Sequence, residues 1–219
     1  MMKPTAFAFF DFDDTLAHGD SILPYLMYCI KRGLAPRRQL FKALGGFIAW
    51  KLNPQHASVS KEKTLSFIKG RSVEEMDEVA RDFFRTVQTK RFFKQGAAEL
   101  QRLIDQGVTP VICSASPDVY MRVLPEFLPV KAVLSTTCYT EDCCYTGKVG
   151  ANCKGDEKPR RIAEWLAPQE LSIDREASSG YGDSPSDAPM LLLTASPVLV
   201  NPKKKLTERI PDGRVVHWE

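Results

Sequence analysis

Residues 5–16 read TAFAFFDFDDTL. The first half is a short apolar run rich in phenylalanine, and it stops abruptly at Asp11. A strand buried on both faces of a parallel sheet has this pattern, lacking the polar–apolar alternation of a half-exposed strand. Outward from it, four further runs fit strands: Thr109–Cys113 before Ser114, Lys131–Leu134, Ala177–Tyr181 before Gly182-Asp183, and Pro197–Val200 before Asn201-Pro202. Helical periodicity lies between them. Ala97, Leu100, Leu103 and Ile104 share one face of a helix over 96–106, with Gly107 placed to end it. Ser116-Pro117 reads as an N-cap and first helical residue of a helix running through Leu124. Strands alternating with helices predict an α/β fold, a Rossmann-like and mostly parallel sheet with right-handed crossovers.

Two stretches break the alternation. Residues 18–95 hold no convincing strand, only helical segments near 20–32, 36–51, 60–69 and 73–93; in the last, Val73, Met76, Val79, Ala80, Phe83, Phe84 and Val87 keep one face apolar. A core of residues 1–17 and 96–219 is therefore expected, with an all-helical insertion, 18–95, where a lid over a site would sit. Thr136–Val149, alternating and rich in Thr and Tyr, is expected to form a β-hairpin.

Composition narrows the function. The chain has 219 residues, which suits one core plus an insertion better than two full domains. With 43% hydrophobic and 26% charged residues it is an ordinary globular composition, which argues against disorder. A formal charge of +3 is too weak to argue nucleic-acid binding. No uninterrupted apolar run reaches the roughly 18 residues of a membrane span, and the N-terminal apolar run passes straight into acids, unlike a signal peptide. The six cysteines, Cys143-Cys144 among them, and the three histidines follow no metal-ligand spacing, so reduced thiols and a cytoplasmic setting are expected. Leu40–Leu52, preceded by Arg37-Arg38, is expected to pack within the insertion; the alternative is a peripheral contact of 37–52 with the inner membrane face. His18 and Lys203-Lys204-Lys205 read as surface residues, and Cys113 and Cys153 as packing residues.

In open parallel sheets ligands bind beyond the carboxyl ends of the strands. The residues at those ends are Asp11 with Asp13 and Asp14, then Ser114, then Asp183 with Asp187, while Lys154 or Lys158 opens the helix after the hairpin. Carboxylates gathered against one ammonium call for a divalent cation, and hard oxygen ligands point to Mg²⁺. Asp11 then suits a nucleophile, and Asp13, on the same side of the chain, a general acid and base. Ser114 and the lysine suit the oxygens of a phosphoryl group, with free N–H groups at the Ser116-Pro117 helix start adding to them. Asp14 reads as a turn residue.

FFDFDDTL, VICSAS, the lysine of CKGDEKPRRI and GYGDSPSDAPML stand in the order and spacing of the haloacid dehalogenase-like phosphatases, which the chain resembles over essentially its whole length. The insertion looks like that superfamily's C1 cap, as in the phosphoserine-phosphatase-like subfamily IB. TxxxTGK…CxGxEK and VNPKKKL resemble a bacterial branch that includes enzymes similar to phosphatidylglycerophosphate phosphatase C. The resemblance implies a Mg²⁺-dependent phosphomonoesterase acting through an aspartyl-phosphate on a small or lipid phosphate. It makes Asp11 the nucleophile, Asp13 the acid/base and Ser114 the phosphate-binding hydroxyl. It also makes Asp11, Asp183 and the backbone carbonyl of Asp13 the metal ligands, with Asp187 in support. Lys158 fits the CxGxEK pattern and Lys154 the KG pattern of phosphoserine phosphatases, and Lys158 is the preferred choice. Phosphoserine phosphatases also carry a cap glutamate and an FExxLxxR segment; here Asp20 and residues 61–68, KEKTLSFI, stand nearest, and the arginine is missing. Losing a bidentate carboxylate clamp demotes phosphoserine as substrate. Phosphotransfer to a hydroxyl and non-catalytic phosphate binding are the alternatives.

Overall fold

The computed structural model describes residues 2–53 and 57–219, with backbone alone for 50–52. Met1 of the first core segment and His56, one of the histidines set aside as metal ligands, lie outside the described residues, as do the side chains of 50–52. In chain order the elements begin with β1 (Lys3–Thr5), β2 (Phe7–Phe10), α1 (Ile22–Lys31), α2 (Gln39–Leu52), α3 (Ala57–Leu65), α4 (Val73–Phe83) and α5 (Lys94–Asp105). They continue with β3 (Thr109–Pro117), α6 (Asp118–Met121), β4 (Ala132–Thr136), β5 (Cys138–Glu141), β6 (Cys144–Val149), α7 (Glu157–Leu166), β7 (Leu171–Ile173), β8 (Ser179–Gly182), α8 (Ala188–Leu191), β9 (Ser196–Val200), α9 (Lys204–Arg209) and β10 (Arg214–Val216).

Six strands form one parallel sheet in the order β10-β9-β8-β2-β3-β4. The all-apolar β2 lies inside the sheet because both its faces are covered. Ala8 and Phe10 pack into one core cluster and Phe7 and Phe9 into another. Phe10 stacks on Tyr181 of the neighbouring strand with ring centroids 4.0 Å apart. Burying each such phenylalanine contributes about 1.5–3 kcal/mol, so β2 fixes its own depth and register.

Ser72 caps α4, accepting the Glu75 N–H at 3.1 Å. The helix expected over 73–93 ends at Phe83 and widens into a π-helical turn, Phe84–Gln88. Adjacent residues of an α-helix point about 100° apart, and the wider turn lets both Phe83 and Phe84 reach the same aromatic cluster. The helix expected from Ser116 begins at Asp118 and is four residues long, because β3 continues to Pro117. Gly107, at φ +76°, ends α5 as expected.

β5 and β6 form the expected hairpin, turned by Asp142 and Cys143, both in the left-handed region. The hairpin, which by sequence belongs to the 96–219 unit, is bonded to the helical insertion. Tyr145 N–H donates to Arg71 O at 2.9 Å, and Gly70 and Val73 donate to Tyr145 O and Cys143 O, each at 2.8 Å. α2 departs from the expectation of burial. Leu40 and Ala43 pack against the core, whereas Phe41 is 78% and Leu44 56% exposed.

Candidate active site

β2, β3, β8 and β9 run parallel, so their carboxyl ends meet along one edge of the sheet. Phe10 pairs with Ile112 on one side and Tyr181 on the other; β2 and β8 end just before Asp11 and Asp183, and Ser114 stands in β3 where its pairing with β4 becomes irregular. These three residues line a cavity of about 170 Å³ together with Asp13, Lys158 and Asp187.

Lys158, on the first turn of α7, is buried and bridges two elements: Nζ donates to Asp11 Oδ1 at 2.6 Å and to Asp187 Oδ1 at 2.7 Å. Asp187 also accepts at Oδ2 from the Ser184 N–H at 3.0 Å and the Ser184 hydroxyl at 2.8 Å. Lys154, the competing motif lysine, stands exposed at the rim. Gly182 makes the β8 turn possible, since a Cβ there would come within 2.6 Å of Asp187 Cβ.

Asp13 faces a hydroxyl network. Ser116 Oγ donates to Asp13 Oδ2 at 2.5 Å, lies 2.9 Å from Ser21 Oγ, and Ser21 Oγ is 3.0 Å from the Tyr120 hydroxyl. Burial, reinforced by the carboxylate of Asp20, pushes the Asp13 pKa up to about 7 against the Ser116 and Ser21 hydrogen bonds. Its Oδ1 is buried without a hydrogen-bond partner. A carboxyl group that carries its proton near neutrality and has an unpartnered oxygen is suited to proton transfer.

Ser116 is therefore not the helix cap expected from its Ser-Pro context. Its N–H donates to Ser114 Oγ at 3.0 Å, so this N–H is not available at the helix start. Asp14 sits at φ +61° and accepts the Gly19 N–H at 2.7 Å, the turn role expected of it. Lys203 reads in sequence as a solvated residue, and its ammonium instead pairs with Asp183 and lies 3.6 Å from Asp14. It stands just past the end of β9, so the strand-end rule that found the acids also locates it. Cys113 and Cys153 are buried with their sulfurs 3.6 Å apart, and His18 is exposed with its ring against Phe93.

One oxygen from each of Asp11, Asp183 and Asp187 lies within 4.8 Å of the others. Burial raises the Asp11 pKa well above the usual carboxylate range, with Lys158 only partly offsetting it. Burial likewise raises Asp183, against the pull of Lys203. Burial works against the charges of Asp187 and Lys158 too, but attraction to Asp11 and Asp187 raises Lys158 and attraction to Lys158, with the Ser184 hydrogen bonds, lowers Asp187. The local positive charge is thus insufficient for all three acids, and this hard, buried donor set fits a divalent cation.

The family model of haloacid dehalogenase-like hydrolases matches residues 8–192. Phosphoserine phosphatase SerB1 of Mycobacterium tuberculosis is 28% identical over 213 residues, covering 92% of this chain and 67% of that protein. The chain thus spans about two-thirds of that relative's length. A Bordetella pertussis Tohama I protein of unknown function superposes with a TM-score of 0.84 at 22% identity, over 98% of this chain and 99% of that one. A phospho-aspartyl intermediate analogue of phosphoserine phosphatase gives a TM-score of 0.62 at 19% identity, over 97% and 93% of the two chains. These structural likenesses describe the fold.

Proposed function

The chain belongs to the haloacid dehalogenase-like hydrolase family, and from that premise we propose that it is a phosphatase that cleaves phosphomonoesters through a phosphorylated Asp11. The observation that carries this function is the Asp11 carboxyl group held 2.6 Å from Lys158 Nζ, beside Asp183 and Asp187, with Asp13 and its unpartnered Oδ1 two residues on. An Asp11 oxygen forms the new bond to phosphorus as the bond to the ester oxygen breaks. The departing oxygen keeps the electron pair and takes the Asp13 proton. Ionised Asp13 then takes a proton from a water whose oxygen attacks phosphorus. The bond to Asp11 breaks, inorganic phosphate leaves, and both carboxyl groups are restored.

Ser114 and Lys158 line the cavity where phosphoryl oxygens would lie. Asp11, Asp183 and the backbone of Asp13 would hold Mg²⁺, with Asp187 in support, and the bound ion would offset the charge of the phosphoryl oxygens. A reducing, cytoplasmic setting agrees with the six free thiols, and among the described residues no helix is long and apolar enough to cross a membrane.

The test is phosphate release from a panel of phosphomonoesters with and without Mg²⁺. Phosphoserine belongs in the panel because of the mycobacterial relative's name. Release that needs the metal and falls at least about 10³-fold in Asp11→Asn is expected. Undiminished turnover in that variant would mean another nucleophile.

A further inference from the structure

Resting on the phosphatase function above, we propose that the substrates are phosphomonoesters of apolar alcohols, whose alkyl or aryl body lies in a groove between α1, α2 and α3. A second cavity, of about 480 Å³, shares Asp20, Ala115 and Lys154 with the catalytic one. The two adjoin at these residues, and the volume is that of a small-molecule site. Its wall is one face of α2: Leu40, Ala43, Leu44 and Phe47, spaced i, i+3, i+4, i+7. Ile22 and Leu23 of α1 face them. Such a stripe ordinarily packs into a core. Here Leu23, Leu44 and Phe47 stay substantially exposed, and a ligand in the groove would cover them.

Several polar groups of the groove are engaged by the protein itself. Lys61 Nζ donates to Ala115 O at 2.6 Å and to the Asn152 side-chain oxygen. Asp20 Oδ1 accepts the Ile22 N–H at 2.9 Å, and the Thr64 hydroxyl donates to Ser60 O at 2.9 Å. No arginine is among the described residues that line it. Recognition of the alcohol therefore falls to apolar contact rather than to a clamp for an amino acid's carboxylate. Free esters in solution and esters seated in a bilayer share this chemistry.

The full-length protein with Mg²⁺ is assayed on ethyl, butyl, hexyl and octyl phosphate below their aggregation concentrations, with phosphoserine alongside. Binding of the matching alkylphosphonates, which cannot be hydrolysed, is measured by calorimetry. We expect kcat/KM and phosphonate affinity to rise roughly fourfold per added methylene, as burial of apolar surface dictates. Leu44→Ser should cut the octyl-to-ethyl ratio about tenfold or more, while Phe41→Ser, outside the groove on the same helix, should leave that ratio unchanged. A flat alkyl series, or a preference for phosphoserine over octyl phosphate, would overturn the groove assignment while leaving the phosphatase function standing. Chain-length-dependent phosphonate binding without turnover of any ester would do the reverse. Long-chain phosphate presented in phosphatidylcholine vesicles separates the sources: turnover that tracks surface concentration identifies a bilayer ester and turnover of monomer alone a free one, and either supports the assignment.

Discussion

The catalytic crevice and the groove beside it are built by opposite means. In the crevice, charged side chains from different elements are tied together: Asp11 and Asp187 to Lys158, Asp183 to Lys203, Asp13 to Ser116. Asp11 and Asp183 hang from the ends of parallel strands packed by buried aromatics, and Lys158 reaches them from the first turn of α7. In the groove, large apolar side chains on helices stand uncovered beside polar groups of which several are bonded to backbone atoms. The contrast separates two tasks. Bond-breaking geometry rests on the sheet, where displacement is costly, and choice of alcohol rests on helices that can vary without disturbing it.

The sharpest way to break the comparison is to remove crevice charges of unequal burial. The Lys158 side chain is 2% exposed and that of Lys203 59%. Lys158→Met leaves two buried carboxylates without their shared cation and should destabilise the fold by about 3–5 kcal/mol in urea unfolding. Lys203→Met should cost no more than about 1 kcal/mol. Equal losses would mean that the crevice is not held together by its buried charges.

Gly182→Ala tests the same tightness sterically. The added methyl must displace Asp187, with an expected loss of about 1–3 kcal/mol and at least about a tenfold fall in kcat. Wild-type activity in that variant would show that the Asp187 position is not critical.

The groove side is tested through Lys61, where the two regions meet. Burial lowers its pKa to about 8, against attraction from Asp20 and Asp13 and with repulsion from Lys154; Cys153 also faces it. Between about pH 8 and 10.4 the unfolded chain therefore binds more protons at this residue, so its contribution to stability rises with pH. Lys61→Met removes that dependence. The variant should gain on wild type by on the order of 2 kcal/mol at neutral pH, and the gain should fade towards pH 10. Parallel stability–pH curves would show that the ammonium is not desolvated.

The legibility of each residue in the sequence depends on how strongly its surroundings constrain it. Residues 5–16 were legible because four apolar residues buried on both faces, with acids immediately after them, have few other interpretations. Asp11, Ser114, Asp183 and Asp187 came from the strand ends. Spacing could not separate Lys154 from Lys158, because both precede or open the same helix, and only the folded chain shows which one is buried against Asp11 and Asp187. Lys203 was hidden in a three-lysine run that resembles a solvated face. Ser116 was hidden by the proline after it, since Ser-Pro is a common helix opening and here the strand continues through it. β1, β7 and β10 are three residues each, too short to display a period. The groove was obscured for a different reason: an apolar helix face looks the same in sequence whether a core or a ligand covers it.

The central claim is that Asp11 is transiently phosphorylated. A radiolabelled phosphomonoester that the enzyme turns over, mixed with the protein and quenched in acid within a turnover, tests it directly. Label on the peptide carrying Asp11 is expected, chasing into inorganic phosphate and absent in Asp11→Asn. Phosphate release with no label on the protein, or with label on another residue, would contradict it.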